Sequence, residues 1–120
     1  MATLNVKLNL DSTNISSNSL KVVASDILNV VNPIAGLSRK SIGTSAAVEL
    51  LAAAIDVDTY IYIKNTDSTN KVNILNAAGS HHGVLRPGEA MFVCVAADVG
   101  IEVVALSAAC VVEFATFTAV

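Results

Sequence analysis

Tryptophan is absent, cysteine and proline occur twice each, and the aromatic residues are two tyrosines and three phenylalanines. A sugar-binding platform of stacked rings has little material to draw on, and two thiols in 120 residues are far too few for a disulfide scaffold. Charge is scarce as well: 14% of residues carry one, where soluble domains average about 25%. The seven Lys and Arg form no cluster that would neutralise phosphates, so a nucleic-acid partner is not expected. The greasiest stretches, Ala90 to Ala97 and Val103 to Val112, fall well short of the ~20 residues that span a bilayer. The opening MATLNVKLNL has no basic segment leading into an apolar run, which argues against a secretory signal. A soluble protein with no membrane partner is the expectation.

What is present is an excess of apolar residues, 53% of the chain. A length of 120 residues predicts one domain over 1–120. A globule of 12.4 kDa exposes roughly 6,000 Å², and so few charges over such a surface leave apolar patches. Another protein subunit is expected to cover some of them.

The dominant period is two. Leu4, Val6, Leu8 and Leu10 alternate with Asn5, Lys7 and Asn9, which predicts a strand with one buried and one wet face. Asp11 to Asn14, DSTN, follows as a turn, and the same four residues recur at Asp67 to Asn70 after the strand Thr59 to Asn65. In that strand Ile61 and Ile63 share one face, and Tyr60, Tyr62 and Lys64 the other. Further strands are expected near Leu20 to Val31, Leu37 to Ile42, Val48 to Ala52, Lys71 to Leu75, Gly83 to Leu85, Met91 to Ala96, Gly100 to Leu106 and Cys110 to Thr118. Eight to ten short strands at this spacing predict an all-β fold, an antiparallel β-sandwich or jelly-roll-like barrel. Arg86-Pro87-Gly88-Glu89 fits a type II turn, with Gly88 at positive φ. Over Ser45 to Ile55 the Ala, Leu and Glu content also permits one short helix in place of a strand.

Met91 to Ala96 is apolar on both faces, which predicts a strand covered from both sides, with a second subunit as one cover. Met91, Val93 and Val95 on this strand, with Tyr60 and Tyr62, are therefore the candidate interface residues. Cys94 and Cys110 lie in apolar surroundings and read as reduced core residues.

Groups that carry catalysis or bind metals are sparse. His81 and His82 are adjacent, so on a strand they point apart and cannot chelate one ion; flanking glycines suggest an exposed loop. Asp56 and Asp58 share a face if extended, but the calcium-loop spacing is missing. Glu89, Glu102 and Glu113 stand alone within apolar segments, with no His or second acid nearby to form an acid–base pair. No catalytic residue, cofactor site or metal site is expected, and the chain does not read as an enzyme.

Tyr60 to Asp67 (YIYIKNTD), Leu85 to Glu89 (LRPGE), Met91-Phe92 and Val112 to Phe114 (VEF) together resemble small β-rich virion proteins of tailed bacteriophages of marine type, most of all capsid decoration or cement proteins. The likeness covers Thr59 to Phe117, about half of the chain. It implies an all-β structural protein made in the bacterial host cytoplasm and carried on the virion capsid surface. There it would bind between major capsid protein subunits as a symmetric homo-oligomer, for which the two-faced apolar strand Met91 to Ala96 and the sparse charge predict a trimer first and a dimer second. It carries over no catalytic or ligand residues. The alternative is a tail, fibre or adhesin module of the virion that contacts host surface glycan.

Overall fold

Alternation of apolar and polar side chains resolves into strands throughout the computed structural model, which describes residues 2–13, 20–32 and 36–120. The strands are β1 (Ala2–Ser12), β2 (Leu20–Val30), β3 (Ser38–Ile42), β4 (Val48–Leu51), β5 (Thr59–Asn65), β6 (Val72–Leu75), β7 (His81–Leu85), β8 (Ala90–Val95), β9 (Ile101–Ala105) and β10 (Cys110–Thr118). β3 to β10 form two four-stranded sheets, in the orders β3-β10-β5-β8 and β4-β9-β6-β7, and every pairing is antiparallel. Among these eight strands each connection crosses from one sheet to the other except β6 to β7, which is the connectivity of a jelly roll. The fold is the all-β sandwich that the strand spacing predicts.

The facing surfaces follow from the period of two. Ile61 and Ile63 of β5, Val112 of β10 and Ile42 of β3 meet Val72 and Ile74 of β6 and Val103 of β9 in one buried cluster. No helix forms over 45–55. Val48 and Leu51 pair with Val103 and Ile101, and the register slips between Glu49 and Leu51, so the consecutive residues Leu50 and Leu51 are both buried. Core burial has overridden the helix propensity of the alanines.

The turn at Arg86 to Glu89 forms as expected. Gly88 has φ +77°, and the Glu89 N–H donates to the Arg86 carbonyl at 3.0 Å. It is a corner between the two sheets, since β7 and β8 belong to different ones. Of the two DSTN runs, the second is a turn: the Asp67 carboxylate accepts the N–H groups of Thr69 at 2.9 Å and Asn70 at 2.6 Å. In the first, Asp11 and Ser12 continue β1 and pair with Lys21 and Leu20, while Asn14 lies outside the described residues.

β1 and β2 pair only with each other, over eleven residues each, as a two-stranded ribbon. Its base joins the sandwich where Val30 bridges Ala119 and the Val31 N–H donates to the Thr118 carbonyl at 2.9 Å. The ribbon stands off the rest. The radius of gyration is 15.6 Å, against about 13.6 Å for a compact chain of this length. The accessible surface is 7153 Å², against about 6,100 Å² expected for the mass.

Candidate interaction surface

Two faces and one edge of this architecture expose apolar side chains, and each comes from the strand pattern. On the ribbon, register puts Leu4 opposite Leu28, Leu8 opposite Ala24 and Leu10 opposite Val22, all on one face; Asn5, Lys7 and Asn9 line the other. The segregation is incomplete, with Asp26 opposite Val6 on the apolar face and Val23 and Ile27 on the other, and burial along the apolar face is uneven. Leu4, Val6 and Leu28 near the base are half-buried, whereas Leu8 (53% exposed), Leu10, Leu20 and Val22 are exposed. The expected buried face of β1 is thus covered by its own chain only along its first half. The cover is the outer face of the β3-β10-β5-β8 sheet, where Leu4 and Val6 border a groove of about 330 Å³ with Leu37, Tyr62, Phe92, Ala115 and Phe117.

Tyr60 and Tyr62 occupy that outer face. Tyr60 stacks on Phe92 of the neighbouring strand, with ring centroids 5.8 Å apart and planes 9° from parallel. Tyr62 donates its hydroxyl to Glu113 Oε1 at 3.1 Å, while Glu113 Oε2 meets Arg39 Nη2 at 3.1 Å. Burial first, and then the hydrogen bond to Glu113 and its charge, raise the Tyr62 pKa above the ordinary tyrosine value. Glu113 is therefore not the isolated carboxylate that its apolar neighbours in sequence suggested. Its two partners come from strands β5 and β3, which no local pattern reveals.

Met91, Val93 and Val95 turn the other way. They line a cleft of about 310 Å³ at the open side of the sandwich, with Ile74, His82, Cys94, Ala96, Val99 and Ile101. The five candidate interface residues thus divide between the outer face and the cleft. β8 is not the doubly covered strand expected from its composition. It is an edge strand on which Phe92, Val93 and Cys94 are exposed and only Val95 is buried. An apolar run reads the same whether its cover lies in the chain or outside it. Cys94 is accordingly exposed, not a core residue, while Cys110 is buried; both thiols are free. Partial desolvation, and then the negative charge of Asp58 for Cys94 and of Asp67 for Cys110, push both thiol pKa values up.

Of the remaining polar candidates, Asp58 and Glu89 serve the fold. His81 and His82 open strand β7 instead of sitting in a loop, and a register slip pairs Ile74 with Gly83 and Leu75 with His81, leaving His82 as the extra residue beside the cleft. Asp58 accepts the Ala97 N–H at 3.0 Å and so fastens the loop before β5 to the turn after β8. Glu89 closes its own corner, accepting the Arg86 N–H at 2.8 Å and pairing with its guanidinium at 3.0 Å. Glu102 lies opposite Glu49 across β9 and β4, a pair of like charges. Among the described residues no three His, Cys, Asp or Glu side chains gather as a metal site, and no helix is long and apolar enough to cross a membrane. No family model, curated protein or solved structure matches the chain.

Proposed function

We propose that the protein is a structural subunit of a larger protein assembly, acting by apolar contact. In the form that its sequence resemblance implies, it is a phage capsid decoration protein that assembles as a homo-oligomer and binds between major capsid subunits. The observation that carries this reading is the β1–β2 ribbon, an arm whose outer half presents Leu8, Leu10, Leu20 and Val22 to solvent. A two-stranded ribbon on its own is marginally stable at best in water, so an arm of this length with an open apolar face fits a partner that covers it. The jelly roll supplies a rigid body from which the arm can reach, although a fold alone assigns no function.

The stacked Tyr60–Phe92 pair favours the second reading, a tail or adhesin module, because flat aromatic faces suit a sugar ring. Electron microscopy of particles isolated with and without the chain tests both. Density that appears between major capsid subunits supports the decoration role, density confined to the tail favours the second reading, and no difference on either overturns both.

A further inference from the structure

The sandwich has four edge strands, and three of them carry features that discourage pairing with another chain. β3 holds Arg39 and Lys40 at its centre, β4 is four residues long and contains Glu49, and β7 contains Gly83 and an irregular register. β8 has none of these. Ala90 to Val95 contains no charge, proline or glycine, and its register with β5 is unbroken from Lys64↔Ala90 to Thr59↔Val95.

The pairing also settles which backbone groups of β8 are free. Asn65 donates its N–H to the Glu89 carbonyl at 2.9 Å, so in this register the odd-numbered residues turn their N–H and C=O groups toward β5. Ala90, Phe92 and Cys94 turn theirs to the open side. Around them the side chains are exposed on both faces: Phe92 and Cys94 on the outer one, and Val93 (39% exposed) at the mouth of the cleft. One added strand would satisfy those backbone groups and cover both faces together.

We propose that this strand is β8 of a second copy, paired antiparallel about a two-fold axis at Val93, so that two four-stranded sheets continue into one of eight. The proposal rests on the homo-oligomer reading above, takes its dimer form in place of the trimer, and says where the copies meet. Composition selects the occupant. A strand added here lies against apolar side chains on both faces, and among the described strands only β8 is itself free of charged, amide, hydroxyl and imidazole side chains. An edge of the ribbon would bring Lys7 and Asp11, or Lys21 and Asp26, into the contact. A two-fold contact also sets each strand against itself, so β3 would confront Arg39 and Lys40 with their own sign, which β8 avoids. With the axis at Val93, Phe92 lies opposite the second copy's Cys94, and Met91 opposite its Val95.

Sedimentation equilibrium of the full chain, combined with cysteine cross-linking, tests the contact. Cys94→Pro removes an N–H that no strand of the same chain uses, so the chain keeps its fold while its mass in solution is expected to halve; Ser41→Pro at the β3 edge is not expected to change the mass. In a Cys94→Ser background, Val93→Cys is expected to oxidise to a covalent dimer, because directly opposed residues of a non-hydrogen-bonded pair lie about 4.5 Å apart at Cα, within disulfide reach. Ala90→Cys is expected to stay largely unlinked. A wild-type monomer overturns both the contact and the homo-oligomer reading. An oligomer whose mass is unchanged by Cys94→Pro, or in which Val93→Cys links no better than Ala90→Cys, overturns the β8 contact and leaves the homo-oligomer reading standing. If Cys94→Pro does not fold, the cross-linking comparison decides.

Discussion

Asn65 donates a hydrogen bond from its side-chain nitrogen to the Leu85 carbonyl at 3.2 Å, a link from β5 in one sheet to β7 in the other. The same nitrogen donates to the Asn70 carbonyl at 2.8 Å, and the side-chain oxygen accepts the Asp67 N–H at 3.0 Å. Its backbone holds the Pro87-Gly88 corner as well, donating to the Glu89 carbonyl and accepting from the Gly88 N–H. One fully buried residue thus pins the turn after β5 and the corner after β7.

Replacing Asn65 with Ala should therefore cost more than the volume removed. Carbonyls of Leu85 and Asn70 lose a donor, and leaving buried polar groups unsatisfied costs about 1–3 kcal/mol each. Urea denaturation of Asn65→Ala is expected to show a loss of about 2–4 kcal/mol. A loss below about 0.5 kcal/mol, the level of an ordinary surface change, would mean that water replaces the side chain freely.

Two glycines at positive φ separate backbone strain from steric conflict. Gly88, at φ +77°, has open space where a Cβ would go; Gly100, at φ +73°, would place one 2.9 Å from the Ala53 nitrogen and the Leu51 carbonyl oxygen. Gly88→Ala is expected to cost about 1 kcal/mol through φ alone. Gly100→Ala carries the same strain plus a collision with backbone that cannot move aside without disturbing β4, so its loss should be at least twice as large. Thermal melts of the two variants compare them directly, and equal losses would contradict the close approach at Gly100.

That contrast marks what sequence reading reaches. Pro87-Gly88 announces its turn locally, and β5 is flanked by Asp56 and Asp58 before it and Asp67 and Ser68 after it, so its ends fall where expected. Gly100 carries no such sign, because its constraint is the chain at Ala53, nearly fifty positions earlier. The same limit explains β8 and β1. Apolar faces at Phe92, Val93, Leu8 and Leu10 are plain in the sequence, but whether a face is covered depends on sheet order, which long-range pairing decides. Tyr62, Arg39 and Glu113 likewise converge only once β3, β10 and β5 are neighbours.

Titration of two groups should shape stability at opposite ends of the pH range. Hydrogen bonds from the Asn70 N–H, and then from that of Thr69, hold the Asp67 carboxyl below its ordinary pKa. A depressed folded value means that its contribution is present above the unfolded pKa, near 4, and is lost as pH falls through the folded one. Tyr62 is the reverse case, with a folded pKa raised by burial and Glu113. Its contribution is complete below the unfolded pKa near 10 and disappears as pH rises through the folded value. Asp67→Asn is expected to flatten the acid limb of a stability–pH curve and Tyr62→Phe the alkaline limb. Limbs unchanged by these substitutions would assign the pH dependence to other groups.

The arm offers the sharpest test of assembly, because burial separates its folding role from its docking role. Leu8 and Leu10 are exposed near the far end of β1, so Leu8→Ser with Leu10→Ser should change the melting of the isolated protein little, each substitution staying within about 0.5 kcal/mol. Leu4→Ser, at the half-buried base, should cost more. If the outer arm docks on a capsid, it does so through apolar area, since the neighbouring charges, Lys7, Asp11 and Lys21, are too few for a dense ionic contact. Protein that binds the assembled shell but not dispersed subunits stabilises the shell by mass action. Particles lacking the chain should then release DNA at a lower temperature on heating. Wild-type protein added back should restore them even near 1 M salt, where the screening length is about 3 Å, and the Leu8→Ser, Leu10→Ser variant should not. Full restoration by that variant would remove the arm from the contact. Restoration that vanishes in high salt would make the contact ionic, and unchanged DNA release with failed host adsorption would transfer the protein's role from the shell to the tail.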